Sequence, residues 1–90
     1  MEDSTKNYEA KINGLWYPVQ LDGISSYHGH DMARVTVKWF KTFNGERGQA
    51  RPFYSPSMGG AVNISSGSVR ADYVRETADD PLTTVYPKKN

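Results

Sequence analysis

The side chains of this sequence that carry recognisable chemistry are its rings and its cations. Trp16 and Tyr17 are adjacent, and in VTVKWFKTFNG, Val35 to Gly45, the rings of Trp39, Phe40 and Phe43 stand among Lys38 and Lys41. A ring face attracts an ammonium or guanidinium group by about 0.5 to 2 kcal/mol, the more so as water is excluded. Rings also stack on nucleobases, and Arg34, Lys38, Lys41, Arg51 and Arg70, with Arg47 and Arg75, are the cations that would neutralise phosphates beside Phe40, Phe43, Phe53 and Tyr54. A functional aromatic site therefore draws on Trp16, Tyr17, Trp39 and Phe43. The competing use of each ring is to fill a core.

Other constellations are sparser. His28-Gly29-His30-Asp31 offers two imidazoles and a carboxylate, but no third firm ligand stands elsewhere, and alternate residues of a glycine-containing loop point apart; it reads as a polar loop. Ser65-Ser66-Gly67-Ser68 with Arg70 has the composition of a phosphate-binding nest, without the G-x-x-x-x-G-K-S/T pattern, and reads as a hairpin turn. Asn63-Ile64-Ser65 is a glycosylation sequon with no secretion signal to give it meaning. No acid, base and nucleophile set appears and no serine stands in a strand-to-helix elbow, so catalysis is the least expected class, and neither a metal nor a cofactor is expected.

Short strands must position these residues. Strand patterns run through YEAKI, LWYPVQL, ARVTVKWF, GQARPFY, GAVNIS and SVRADYVRE, and no stretch of helical length shows a helical period. Leu15, Tyr17, Val19 and Leu21 share one strand face; Trp16, Pro18 and Gln20 share the other, which places Trp16 toward solvent or the barrel mouth as the best single contact residue. Val35 and Val37 point inward and Trp39 continues their phase. Phe40 arrives out of phase and Phe43 follows, so a bulge near Lys41 or a deliberately exposed ring is implied. Asn13-Gly14 and Asn44-Gly45 are hairpin signals, because a type I′ turn needs positive φ at both central residues. SSYHGHD and SPSMGG read as long loops. Five or six strands over about 70 ordered residues predict an all-β fold, a small SH3-like antiparallel barrel, since closure shields strand edges. An OB-type barrel would need a longer chain and a helix.

Ninety residues support one modest core, a chain of this size burying about two-thirds of the surface it exposes when unfolded. Without cysteine, the fold stands on packing and backbone hydrogen bonds, which suits a reducing, intracellular location. No apolar run reaches transmembrane length and the polar start is no signal peptide, so no membrane partner is expected. Residues 1–7 read as a flexible arm, 8–76 as the barrel, and 77–90, with two prolines and paired lysines, as a flexible tail. Net charge is −3 over residues 1–33, +5 over 34–75 and −1 beyond. The basic middle attracts phosphate or acidic peptide.

Gly14-Leu15-Trp16-Tyr17-Pro18-Val19, then Arg34-Val35-Thr36-Val37-Lys38-Trp39-Phe40, then Phe43-Asn44-Gly45-Glu46 resemble, in order, the strands and turn of Tudor and agenet domains of the Royal superfamily, and SVRADYVRE is similar to their closing strand. The likeness spans about Lys11 to Glu76. It implies a five-stranded SH3-like barrel that reads methylated lysine or arginine in an aromatic cage, in the nucleus. It places Tyr17, Trp39 and Phe43 on cage positions, with Trp16 or Tyr54 as a further wall. The step from Trp39 to Phe43 is one residue longer than the family pattern, and Lys41-Thr42 replaces its acidic residue, which leaves Glu46, with Asp72 beyond, to orient the guest.

The expected function is thus non-enzymatic: a monomeric module that binds a basic side chain of a partner protein, methylated or not. Binding of DNA or RNA through the basic middle is the alternative. A small inhibitor or accessory protein docking on a larger enzyme is the third class, which the initial Met and the single domain permit.

Overall fold

The computed structural model describes residues 6–89. The fold is all-β, built on one antiparallel sheet of five to six strands that does not close on itself. Its strands are β1 (Asn7–Ile12), β2 (Leu15–Tyr27), β3 (His30–Val37), β4 (Phe40–Lys41), β5 (Arg47–Gly48), β6 (Phe53–Ser57), β7 (Gly60–Ile64), β8 (Ser66–Arg70), β9 (Val74–Thr77) and β10 (Lys88–Lys89), with a 3₁₀ turn, Ala71–Tyr73, before β9. The main sheet runs β8-β3-β2-β1-β9, with β10 also on β2; β4-β5 and β6-β7 are separate two-stranded sheets. The order β8-β3-β2-β1-β9, with a 3₁₀ turn between β8 and β9, is consistent with the small antiparallel barrel that the sequence predicts, although the sheet stays open.

β2 serves both halves of the sheet. Its first part pairs with β1 (Ala10 with Tyr17, Ile12 with Leu15) and its last with β3 (Leu21 with Val35, Ile24 with Ala33), a register shift between Leu21 and Gly23 marking the bulge where it bends. Asn13 and Gly14 both take positive φ, the tight turn their pairing predicts. His28 and Gly29 do so too, at φ 49 and 81. SSYHGHD is therefore not a loop: both strands continue through it to a two-residue turn. At the second Asn-Gly pair only Gly45 is positive, and the β4–β5 connection is instead a wider loop closed by Thr42 N to Glu46 O and Gly45 N to Thr42 O.

The core collects alternate residues of this sheet: Ala10, Val19, Ala33, Val35 and Val37 are fully buried, with Ile12, Phe40 and Tyr86 beside them. Ser66 to Ser68 also departs from expectation, being strand rather than turn. Gly67 pairs with Val35, and a Cβ there would stand 2.4 Å from the Phe53 ring. SPSMGG likewise forms the end of a hairpin, Phe53 pairing with Ile64 and Pro56 with Ala61.

The expected tail is part of the fold. Thr77 ends β9, Pro81 and Tyr86 are buried, and Lys88 and Lys89 pair with Trp16 and Leu15, the part of β2 that β3 leaves uncovered when it ends at Val37. The domain thus reaches past Glu76 to Lys89. Of the expected arm, residues 1–5 lie outside the described residues; Lys6 pairs with Glu76 at 3.0 Å and Asn7 opens β1.

Candidate functional site

The rings sort themselves where β3 ends. Val37 N donates to Ser65 O and Lys38 N to Pro18 O, Gln49 Nε2 caps Val37 O at 2.7 Å, and the chain leaves the sheet at Lys38-Trp39 before pairing again at Phe40. The irregularity at Lys38-Trp39 shifts the phase of the strand by one residue. Phe40 consequently turns inward, 4% exposed between Tyr17 and Tyr86, while Trp39 stays half in solvent at 51%. Phe43 follows in the β4–β5 loop at 88%.

The β4–β5 hairpin pairs Lys41 with Arg47, whose guanidinium lies 5.4 Å from the Trp39 ring centroid, and carries Phe43 and Glu46 in its loop. The C-terminal segment flanks it: Lys41 N donates to Pro81 O, Tyr86 N donates to Lys41 O, and Lys41 bridges Val85. Between them lies an open concavity of about 340 Å³ lined by Lys41, Gly45, Glu46, Arg47, Leu82 and Thr83. Leu82 and Val85 stay about half exposed beside it. Lys41 and Arg47 face each other across the hairpin. Such a pair repels and attracts a carboxylate, and Glu46 is the acidic side chain at hand.

Other predicted contact residues stand elsewhere. Trp16 is on the predicted face, opposite Tyr17 and Val19, but it is only 7% exposed, a correction to the wet indole expected there. The Arg75 guanidinium stacks 3.8 Å from its centroid and β10 pairs alongside. Tyr17 is half-buried against Phe40, with ring centroids 6.3 Å apart. Tyr54 is exposed on the β6–β7 hairpin, a separate sheet from the β4–β5 hairpin that Trp39 precedes and whose loop holds Phe43. Among the described residues no two of Tyr17, Trp39, Phe43 and Tyr54 are in ring contact.

The basic residues do not form one surface. Arg34 and Arg70 are diagonal neighbours on the outer face of β3 and β8, but Arg70 lies 3.5 Å from Asp72, and Thr36 on that face hydrogen-bonds Asp22. Lys38 reaches Asn7, Lys41 lines the concavity, Arg51 is exposed between hairpins and Arg75 is engaged with Trp16. Asp72, proposed beside Glu46 as an orienting carboxylate, belongs to the Arg70 side of the fold. His28 and His30 are exposed at the β2–β3 turn, and among the described residues no three His, Asp or Glu side chains are placed to hold a metal ion.

Sequence reasoning passed over the most tightly bonded polar group. Glu9 is 1% exposed and accepts from Arg75 Nε (2.9 Å), the Tyr86 hydroxyl (2.7 Å) and the Lys88 ammonium, which also bonds Asp79. Burial pushes the Glu9 carboxyl up, but the hydrogen bonds from Lys88, Tyr86 and Arg75 outweigh it and hold the group below its ordinary range. Burial likewise opposes the Lys88 charge, and its bonds to Asp79 and Glu9 raise it regardless. Burial and the Glu9 charge push the Tyr86 hydroxyl far up. The network ties strands at opposite ends of the sequence and covers Trp16.

Comparison of the chain with protein-family models finds no match, nor does comparison with curated proteins or with solved structures.

Proposed function

We propose that this chain is a non-enzymatic recognition module of the Tudor and agenet type, whose contact surface is the β4–β5 hairpin with the C-terminal segment beside it. Trp39 and Phe43 are the aromatic anchors for a partner protein, and a basic side chain of that partner lies on Trp39 with Glu46 to orient it. The observation that carries this reading is Trp39 itself, exposed yet already stacked with a guanidinium. Arg47 makes no ion pair among the described residues, so a partner's cation can take its place on the ring. Exposed aromatic and arginine side chains at a concave surface are also the composition of interface hot spots. The Lys41–Arg47 pair favours a second reading of the same surface, in which an acidic segment of the partner bridges the two cations.

The test is an NMR titration of the chain with lysine peptides, methylated and not, with acidic peptides and with short oligonucleotides, in one buffer. The proposal expects shifts at Trp39, Phe43 and Glu46 with a basic peptide, lost in Trp39→Ala. An acidic peptide acting instead, and failing with Lys41→Ala, selects the second reading. Full basic-peptide affinity in a folded Trp39→Ala variant rejects the first reading, and full acidic-peptide affinity in a folded Lys41→Ala variant rejects the second.

A further inference from the structure

The C-terminal segment, residues 78–89, walls the concavity at one end and completes the Glu9 network at the other. Strands β8, β3, β2, β1 and β9 pair with one another without it. It is joined to the rest of the chain at a few points. Lys41 N donates to Pro81 O, Tyr86 N donates to Lys41 O, and Lys88 and Lys89 pair with Trp16 and Leu15. Of its residues Pro81 and Tyr86 are buried, while Leu82, Thr83 and Val85 are exposed.

Two features fit this segment to move as a unit. Its turn is made from its own atoms: Asp80 O accepts from Thr83 N and Thr84 N, and Asp80 Oδ1 accepts from Leu82 N. Its departure, moreover, leaves no bare charge. Glu9 holds three donors, of which Tyr86 and Lys88 belong to the segment and Arg75 to β9. With the segment away, the carboxylate keeps Arg75 and meets water, which avoids the large penalty of an unpaired buried ion. Lys88 also bonds Asp79, at the start of the same segment, and so takes a carboxylate with it.

We infer that residues 78–89 form a strap that opens and closes over the sheet, latched by Lys88 on Glu9, and that closing it completes the contact surface at Trp39. The inference rests on the proposed surface for its consequence in binding and on the fold alone for the motion. Leu82 and Thr83 line the concavity while the strap is closed, so a partner that touches them binds the closed form and holds it shut. The coupling is reciprocal: loosening Lys88 from Glu9 weakens the partner in proportion to the closed fraction lost. Glu9 and Lys88 are thereby positioning residues for a concavity they do not line.

The experiment is amide exchange of the full chain by NMR across low urea concentrations. The Tyr86 and Lys41 amides report the strap, and Val35, paired on both sides within the sheet, reports the rest. The expected result is an opening at Tyr86 and Lys41 at least about tenfold more frequent than at Val35 and nearly independent of urea, as for a local event. Lys88→Ala should raise that opening about tenfold to a hundredfold, the worth of a hydrogen bond between charged groups, and Lys88→Arg should restore it. A lysine peptide at about a hundred times its dissociation constant should slow it about a hundredfold. Exchange at Tyr86 and Lys41 that matches Val35 overturns the strap, and an unchanged rate in Lys88→Ala overturns the latch. A peptide that binds yet slows neither amide overturns the coupling. If no peptide binds, the reading of the Trp39 surface fails and the coupling with it, while the strap and its latch are decided by exchange in the free chain.

Discussion

Both indoles of this molecule carry an arginine, Arg75 at 3.8 Å from the Trp16 centroid and Arg47 at 5.4 Å from that of Trp39. Around Trp16, the arginine is itself held, its Nε donating to a buried carboxylate that also receives Tyr86 and Lys88. Around Trp39 no carboxylate among the described residues is paired with the arginine, and the ring stays half exposed. The same cation–π chemistry therefore makes a structural clamp in one place and an exchangeable contact in the other. What decides is whether the cation has a buried anchor and whether chain covers the ring, not the ring itself.

If Trp16 is structure, its removal is the costliest change available to either region. Trp16→Ala should destabilise the fold by about 3 to 5 kcal/mol, the range for deleting a large buried ring, read as a lowered midpoint in urea. Little loss would mean that Arg75 and β10 do not depend on the ring.

The anchor comes next. Glu9→Gln leaves two cationic donors and a hydroxyl facing an amide, and should cost about 3 kcal/mol, near the lower bound for breaking a buried ion pair. The pH dependence has a definite sign. Glu9 is depressed in the folded state, so its contribution is full above the ordinary carboxylate range and lost as pH falls through the lowered value. Tyr86 and Lys88 are raised, so theirs are full below their ordinary values and lost as pH rises through the folded ones. Stability should hold through neutrality and fall on either side, and Glu9→Gln should flatten the acid side.

Gly67→Ala tests the junction between the main sheet and the β6–β7 hairpin. The new methyl would meet the Phe53 ring at 2.4 Å, so we expect about 1 to 3 kcal/mol of destabilisation by overpacking, with Phe53 displaced in the NMR spectrum.

The same contrast explains what could be read in the sequence. Alternation in LWYPVQL and ARVTVKWF assigned Val19, Val35 and Val37 to the core, and Asn13-Gly14 gave its turn, because these are local consequences of strand geometry. Phe40 was flagged as out of phase, and the break at Lys38-Trp39 supplies the cause. The covering of Trp16 was not legible. Glu9, Tyr86 and Lys88 are nearly the whole chain apart, and TADDPLTTVYPKKN has the composition of a tail; only the third dimension shows that one buried carboxylate draws it in. Seven basic residues in the middle of the chain suggested a patch, yet strand alternation and separate hairpins sent them to different faces. Trp39, Phe43 and Glu46 are close in sequence around one short hairpin, which is why a sequence reading can name them together.

The smallest expected change in stability falls on Trp39, and it is the sharpest test of the contrast. Trp39→Ala removes a ring that is half in solvent, so it should destabilise the fold by only about 1 kcal/mol, the usual size for a point substitution and well below the loss at Trp16. Fluorescence separates the two indoles: a neutral quencher should reach Trp39 and largely spare Trp16, so the variant should lose the quenchable part of the emission. Arg47→Ala should raise that quenching by baring the ring, and should strengthen binding of a basic peptide by about twofold to fivefold, the worth of one exposed cation–π contact. Weaker basic-peptide binding in Arg47→Ala would show that the arginine is part of the contact rather than its competitor, and would move the reading toward an acidic partner.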